Sequence, residues 1–407
     1  MTTDVDATWL LEQRRLLRAH VASAVHPGGG FAWLDSGDRP RLDRPVELWI
    51  SARMTYVAAL SVLEGDDALQ GPLDHGVAAL ATVFRDPDHE GWFAAVSQGR
   101  PTTADKRAYE HAFVILASAG ATAAGATGGA ALLDEALTTF ETRFWRDADR
   151  LVVDVWDRTW TTLEPYRGVN ANMHTVEALL TASDVTGEAR WSRYAVGIVE
   201  RVVHEFAAGN DYRLPEHFTP DWVALPDFNR DEPAHPFRPF GVTIGHLLEW
   251  SRLTLQTRDA LADAAPPWML PAAVALFRVA VRDGWWVDGR PGFVYTTDFD
   301  GVPVVRDRLH WVVAEAIGAA WALHEATGDP AYLEHYEQWW AHARGLFIDP
   351  VDGSWQHELN PANEPASSVW DGRPDVYHAY QAALLPSLTR PVSFAGALLR
   401  QGPPPIL

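Results

Sequence analysis

Most of the chain alternates between long stretches with helical periodicity and polar loops that lack it. In the helical stretches, apolar residues recur three and four positions apart, and Ala, the strongest helix former, is frequent. The loops mix Gly, Pro, Asp and Asn with short aromatic or β-branched pairs, which is typical of hairpin-like turns. The clearest helical stretches are 15–25, 52–63, 108–121, 173–185, 244–255, 271–281 and 310–327, and the longest loops are 86–107, 147–172, 209–241, 283–308 and 349–375.

The loops recur in register with every second helix, and a distinctive polar side chain stands near each helix that follows a loop. These side chains are 56, 65, 72, 64 and 68 positions apart, and six units of about 68 residues account for the 407-residue chain. They belong to Arg53, Tyr109, His174, His246, His310 and His378.

Two helices in each of six units predict six helical hairpins that close into a toroid of six inner and six outer helices. The long loops then lie on one face, where the six polar residues are expected to converge. A straight superhelical array is the alternative, but it does not explain why the loops precede only every second helix. We therefore predict one all-α domain over residues 1–407, an (α/α)6 barrel with long hairpin-like loops on one face.

Composition narrows the class of function. The balance of 33 Lys and Arg against 54 Asp and Glu gives a net charge of −21, which argues against nucleic-acid binding. The absence of cysteine excludes disulfides, thiol nucleophiles and zinc–thiolate sites.

We see neither a basic leader with an apolar stretch nor a run of about 18 apolar residues, so we expect a cytoplasmic protein without a membrane partner. The 19 Trp, 10 Tyr and 16 Phe suit a large core and favour a carbohydrate site only slightly.

Histidines are the strongest candidates for acid–base chemistry. His246 precedes Glu249 by three residues, which places both on one helix face and lets the carboxylate orient the imidazole. His174 follows an Asn-rich segment in which Asn170 can hold a hydroxyl group. His378 stands near the start of the last inner helix. The alternatives are a capping histidine that satisfies loop carbonyls for His174, an ordinary pair on the helix surface for His246, and a core histidine for His378.

Two further positions carry polar groups on otherwise apolar helices. Arg53 is a charge that needs a sugar oxygen or an acidic side chain when buried, and a structural ion pair is the alternative. Tyr109 can donate its hydroxyl group, although most Tyr residues on apolar helices belong to the core. His310 is a weaker candidate for a substrate contact. We find no H-E-x-x-H, phosphate-loop, G-x-S-x-G or well-placed dinucleotide motif, so we expect neither a metal nor a cofactor.

Five short segments, taken in their order along the chain, carry a resemblance to a known family. They are Arg53-Met-Thr, Asn170-Ala-Asn-Met-His174, Gly245-His246-Leu-Leu-Glu249-Trp250, Trp311-Val-Val-Ala-Glu315 and Pro374-Asp-Val-Tyr-His378. Together they resemble the N-acylglucosamine 2-epimerase superfamily from about residue 20 to residue 385. The resemblance implies an (α/α)6 barrel that interconverts sugars at C1 and C2 without a metal or cofactor. With His310 before Trp311, the chain is most similar to the bacterial aldose–ketose isomerases, the branch of the mannose and sulfoquinovose isomerases.

The residues suit this chemistry. Isomerising an aldose requires ring opening, removal of the C2 proton and reprotonation of a cis-enediol at C1, and His transfers protons well near neutral pH. We expect His378 to move the carbon-bound proton and His246 the oxygen-bound protons, although the two can exchange roles. The partner is a free monosaccharide, and a monomer and a homodimer both stay open. Substrate contacts are expected from Arg53, Tyr109, Asn170, His174, Glu249, Trp311 and Glu315.

The expected reaction is therefore interconversion of D-mannose and D-fructose, and other functions share the residues. A sugar 2-epimerase, of the mannose/glucose or N-acylglucosamine type, uses the same enediol but protonates C2 from the opposite face. A sulfoquinovose isomerase needs an added cation, for which Arg238 is the candidate. A catalytically silent sugar-binding toroid is a further alternative. An (α/α)6 glycosidase needs two carboxylates across the scissile bond, and Glu249, Glu315, Asp227 and Asp375 are available.

Overall fold

Thirteen α-helices are the main elements of the computed structural model, which describes residues 5–402. The predicted helical stretches are helical apart from a few residues at their ends. None of the helices in this range has both the length and the apolar character needed to cross a membrane. They are α1 Ala7–Ser23, α2 Leu48–Leu63, α3 Gln70–Thr82, α4 Ala108–Ala123, α5 Gly129–Thr139, α6 Val169–Thr186, α7 Ala189–Val199, α8 Ile244–Leu261, α9 Met269–Gly284, α10 His310–Thr327, α11 Pro330–Leu346, α12 Tyr377–Leu384 and α13 Phe394–Gln401.

The loops contain short strands of two to four residues, as their hairpin-like sequences predict. Several of these strands pair directly before a helix begins, so that the chain enters the helix from a fixed extended segment. They are β1 Val46–Glu47, β2 Ala95–Ser97, β3 Arg100–Thr103, β4 Lys106–Arg107, β5 Trp145–Arg146, β6 Leu151–Val152, β7 Val155–Trp156, β8 Arg167–Gly168, β9 His217–Phe218, β10 Val242–Thr243, β11 Thr296–Thr297, β12 Pro303–Val305, β13 Arg308–Leu309 and β14 Glu358–Leu359.

The helices alternate between two kinds of burial. In α2, which follows a long loop, every residue from Leu48 to Ser61 is buried. In α5, which follows a short turn, burial recurs on one side, at Leu132, Leu133, Ala136 and Leu137. A helix buried all round and a helix buried on one face are what an inner and an outer helix of a hairpin repeat require.

Residues 18–198, together with 374–377 and 391–402, form one compact unit, called unit 2 here. Within it, α4 packs between α2 and α6, α3 packs on α2, and α5 packs on α4. Helix α13 contacts α2, α4 and α6. Strands β1, β2 and β3 form an antiparallel sheet in which Val46 pairs with Val96, and β4–β7 and β5–β6 are antiparallel pairs.

Residues 5–17, 199–373 and 378–390 form the other compact unit, called unit 1. Here α8 packs against α9 and α10, and α10 packs against α11. Strands β10, β11 and β12 form an antiparallel sheet, and β13 pairs with β14. A single domain over residues 1–407 stays a prediction, and its ends at 1–4 and 403–407 lie outside the described residues.

A buried ion network fixes the loop before α4. Lys106 Nζ lies 2.9 Å from Asp86 Oδ2, and both side chains are fully buried. Arg158 donates hydrogen bonds to both carboxylate oxygens of Asp86, at 2.8 and 2.9 Å. Burial alone would raise the pKa of the Asp86 carboxyl, but the hydrogen bonds from Arg158 and Lys106 outweigh it and hold this pKa well below its ordinary value.

We expect Asp86→Ala to lower the free energy of unfolding by about 3–5 kcal/mol, because it leaves Lys106 buried without a counter-ion. Since the folded-state pKa is depressed, the stabilisation by Asp86 is complete above the unfolded-state pKa of about 4 and is lost as the pH falls further. Urea unfolding of both proteins from pH 7 down to pH 2 measures the difference. A difference that stayed constant over this range would contradict the prediction.

Candidate active site

His378 is the second residue of α12, and a carboxylate from α10 holds its ring. Its Nδ1 lies 2.8 Å from Oε1 of Glu315, and both side chains are buried. An ionised carboxylate only accepts hydrogen bonds, so Nδ1 carries the proton and donates it to Glu315. The lone pair is then on Nε2, which is the arrangement that a general base needs.

Arg252 of α8 keeps Glu315 ionised. Its Nε and Nη2 lie 3.0 and 2.9 Å from Oε2 of Glu315, and both side chains are buried. Burial raises the pKa of the Glu315 carboxyl, but the charge of Arg252 and the hydrogen bond from His378 outweigh it and lower the pKa to about 2. Glu315 is therefore an anion throughout the pH range in which an imidazole titrates.

His246, the third residue of α8, is held in the same way by a different carboxylate. Its Nδ1 lies 3.0 Å from Oε1 of Glu216, and both side chains are buried. Glu249 was predicted to orient this imidazole, but Nδ1 is hydrogen-bonded to Glu216, which directly precedes β9. Glu249 instead has an oxygen 3.7 Å from Arg252, three residues further along α8.

The indole of Trp311 contacts both imidazoles. Its ring centre lies 5.4 Å from that of His246 and 5.8 Å from that of His378, with interplanar angles of 39° and 38°. Tyr295 meets the indole edge-on at 6.1 Å. Two histidines with the same kind of carboxylate partner thus share one aromatic neighbour.

Arg53, the sixth residue of α2, forms an ion pair with Asp375, so its partner is an acidic side chain. Its Nη1 donates to Oδ2 of Asp375 at 3.1 Å, and its Nη2 donates to the hydroxyl of Tyr109 at 2.9 Å. The ion pair is buried. Aromatic rings surround the guanidinium, with the closest ring centre 4.4 Å from its carbon; they belong to Trp49, Tyr109, Phe113 and Tyr377.

In the Asn-rich segment before His174, the side chains of Asn170 and Asn172 have different environments. Asn172 accepts from the Val152 N–H at 2.9 Å and donates to the Gly168 carbonyl at 2.9 Å, which fixes the start of α6. Asn170 keeps a buried Oδ1 that has no hydrogen-bond partner within residues 5–402. This amide oxygen can therefore accept a hydrogen bond from a ligand hydroxyl, and the role of Asn170 as a substrate contact stays a prediction.

His174 and His310 both pack against other rings. The ring centre of His174 lies 5.2 Å from that of Tyr109 and 4.6 Å from that of Phe113. His310, the first residue of α10, stacks on His357 with ring centres 3.6 Å apart. Tyr109 thus contacts both Arg53 and His174 in unit 2.

Two residues that hold the histidines or their partners, Arg252 and Glu216, were not predicted from the sequence. Arg252 carries a charge inside the apolar stretch of α8, and Glu315 carries one inside α10. Because a buried charge needs a partner, these two charges were a signal that the helices pair there. Glu216 lies in an irregular loop, where no periodicity marks a buried position.

Three residues of unit 1 have the geometry of possible metal ligands. Glu249, Glu315 and His378 each offer an atom, and these atoms lie within 4.8 Å of one another. Carboxylate and imidazole groups are common ligands of divalent metals. Arg252, however, already places a positive charge beside both carboxylates, and this charge opposes the binding of a second cation.

Gly245 leaves the room that the indole of Trp311 occupies. A Cβ at this position would lie 2.2 Å from Cζ3 of Trp311 and 2.9 Å from Cγ2 of Val312. We expect Gly245→Ala to lower the free energy of unfolding by about 1–3 kcal/mol through overpacking, although Ala favours a helix by about 1 kcal/mol over Gly. Denaturant unfolding tests this, with Gly345→Ala as the control, since a Cβ there meets nothing within 4 Å. Equal stability of the two variants would contradict the prediction.

Two relatives cover nearly the whole chain. A protein of Thermobifida fusca named D-mannose isomerase is 51% identical over 396 residues, which are 97% of this chain and 97% of the relative. A protein of Pseudomonas cannabina pv. alisalensis with the same name is 45% identical over 394 residues, 96% of this chain and 94% of the relative.

The fold has a close counterpart among solved structures. A crystal structure of a D-mannose isomerase matches with a TM-score of 0.88 at 28% identity, over 94% of this chain and 98% of the other. This likeness confirms the predicted all-α, (α/α)6-barrel class. A sequence model of the N-acylglucosamine 2-epimerase family matches residues 29–382. With these matches, the chain belongs to the N-acylglucosamine 2-epimerase family.

Proposed function

We propose that this chain is an aldose–ketose isomerase that interconverts D-mannose and D-fructose. The observation that carries the proposal is the pair of buried histidines in unit 1, His246 and His378, each with a carboxylate on Nδ1. The reaction moves one proton between two carbons and one between two oxygens, and two imidazoles suit these two transfers. The names of the relatives at 51% and 45% identity support the same reaction and the same substrate.

His378 is proposed as the base at carbon. Its Nε2 removes the C2 proton of the open-chain aldose, the electron pair of that bond forms the C1=C2 double bond of a cis-enediol, and O1 takes up a proton. His378 then returns a proton to C1 while O2 loses its proton and C2 becomes the carbonyl of the ketose. The Glu315 anion stabilises the imidazolium that exists between these two steps.

His246 is proposed to move the oxygen-bound protons. It is proposed to start the cycle as an imidazolium, whose charge Glu216 at Nδ1 balances. Its Nε2 then donates a proton to O1 and, once neutral, accepts the proton of O2, and it can serve O5 when the ring opens. Each transfer at oxygen balances one at carbon, so the enzyme ends the cycle in its starting protonation state.

The remaining site residues are proposed to hold the substrate. Asn170 offers a buried amide oxygen to a hydroxyl group, and Trp311 offers an apolar ring face to sugar C–H groups. Arg53, Tyr109, His174 and Glu249 stay predicted hydroxyl contacts. Glu315, which was expected among these contacts, has both oxygens engaged by His378 and Arg252 and is better placed to orient His378. A cytoplasmic location and a monomer or homodimer stay predictions.

We expect the purified protein to convert D-mannose to D-fructose. In D₂O, NMR of the fructose should find deuterium at a single diastereotopic position of C1, because one base serves one face of the enediol. His378→Asn should lower kcat by about 10²–10⁴-fold and slow the exchange to the same extent, since His378 is the proposed base for the C2 proton. His204→Asn is the control, because this exposed histidine stacks on Trp268, and it should leave kcat unchanged.

Three other outcomes of this assay would each indicate a different enzyme activity. Glucose formed from mannose faster than fructose indicates a 2-epimerase. Conversion of a sulfonated hexose, with mannose and fructose inert, indicates a sulfoquinovose isomerase. New reducing ends released from an oligosaccharide indicate a glycosidase.

We also expect the reaction to proceed without a metal, because Arg252 supplies the positive charge beside Glu249 and Glu315. Prolonged treatment with EDTA, followed by gel filtration in metal-free buffer, should leave kcat unchanged. Elemental analysis of the treated protein provides the control that metals are gone. Activity that disappears and returns only with added Mn²⁺ or Zn²⁺ would contradict this expectation.

A further inference from the structure

The residues immediately before His378 are fastened to helices that lie far away in sequence. Residues 374–377 contact α2, α4 and α6 within unit 2, and the nearest of these helices ends at Thr186. Residues 374–376 precede α12 and belong to no helix or strand, so their position depends on such contacts.

Asp375 makes two contacts with its two carboxylate oxygens. Oδ2 accepts from Nη1 of Arg53, 322 residues earlier in the chain, at 3.1 Å. Oδ1 accepts from the backbone N–H of Tyr377, the first residue of α12, at 2.9 Å. The side chain is 4% exposed, so water cannot replace either contact at low cost. One carboxylate therefore ties the beginning of α12 to a buried guanidinium on α2.

Tyr377 is fixed on its other side as well. Its hydroxyl donates to the carboxylate of Glu177 on α6. Its ring meets Phe113 of α4 edge-on at 5.7 Å and lies 4.8 Å from the guanidinium carbon of Arg53. The backbone and the side chain of the residue that precedes His378 are both held.

We propose that Asp375 is a positioning residue for His378, acting through the backbone of Tyr377. The inference rests on the proposed function, in which Nε2 of His378 takes the C2 proton. Glu315 fixes the ring at Nδ1, and Asp375 fixes the peptide from which the side chain starts, so Nε2 has one defined position. Displacement of a reacting group by about 1 Å can cost about 10²-fold in rate.

The chemistry of the side chain explains why a carboxylate serves here. Asp offers acceptors to the guanidinium and to the N–H at the same time, and its charge compensates that of buried Arg53. Asn has a single acceptor oxygen, so when this oxygen accepts from the Tyr377 N–H, the NH₂ group faces Arg53 and its charge is not balanced. Ala removes both contacts.

The test compares Asp375→Ala with wild type on D-mannose and on [2-²H]mannose. We expect kcat per folded protein to fall by about 10- to 100-fold, KM to change by less than about threefold, and the deuterium isotope effect on kcat to be at least as large as in wild type. Dividing the rate by the folded fraction, measured by circular dichroism, separates positioning from folding, because a loss of folded protein alone leaves kcat per folded protein unchanged. The isotope effect then shows whether the remaining defect lies at the proton transfer.

The control is Asp329→Ala. Asp329 is also an aspartate at a helix start, where it accepts from the Ala331 N–H at 3.0 Å, but that helix, α11, carries none of the proposed site residues. This variant should lower the melting temperature while kcat and the isotope effect stay at wild-type values. The comparison distinguishes loss of a helix cap in general from loss of the cap that precedes His378.

Two results would overturn the inference. One is an Asp375→Ala variant whose kcat per folded protein stays within fivefold of wild type. The other is an isotope effect that falls to one, which would place the defect at ring opening or product release.

Should the alanine variant not fold, Asp375→Asn takes its place. Its kcat is expected to fall by about tenfold, and a kcat within twofold of wild type would overturn the inference. A wild-type protein inactive on mannose would instead overturn the proposed function.

Discussion

The contact between Arg252 and Glu315 is the interaction on which the proposed chemistry depends. A carboxyl as deeply buried as Glu315 would keep its proton if it were alone, because burial penalises the charged form. Arg252 reverses this preference. Only the resulting anion obliges His378 to carry its proton on Nδ1 and to present a lone pair on Nε2. A charge on α8 thereby sets the tautomer of a histidine on α12, with α10 between them.

A buried arginine also neutralises a functionally placed carboxylate in unit 2. Arg53 is buried among aromatic rings, and its charge is balanced by Asp375, whose other oxygen holds the first peptide of α12. In both units a helix with a long, fully buried stretch carries a buried arginine, and the carboxylate that balances this arginine also makes a second contact. Burying an ion pair brings little net stability, but removing one partner is costly. Such pairs are therefore better understood as fixing geometry than as stabilising the fold.

The repeat could be predicted from the sequence because it rests on local rules. Helical periodicity and Gly- and Pro-rich loops located the inner helices, and the six polar markers fall on helices that begin at residues 48, 108, 169, 244, 310 and 377. The partners of the histidines could not be predicted in this way. The spacing of three residues pointed from His246 to Glu249, whereas Glu216 makes the contact from a loop 30 residues away. Glu315 and His378 are 63 residues apart, so only the packing of α10 and α12 pairs them.

The double attachment of His378 bears on the choice between isomerisation and epimerisation. An isomerase moves a proton between two adjacent carbons on one face of an enediol, whereas a 2-epimerase must return a proton to C2 from the opposite face. A ring held by Glu315 at Nδ1 and by Asp375 through the peptide before it has little freedom to swing. One restrained base of this kind suits proton transfer between neighbouring carbons on a single face, whereas epimerisation would need a second base, such as His246, or a turn of the intermediate. The restraint that makes His378 precise therefore also favours the ketose as the product.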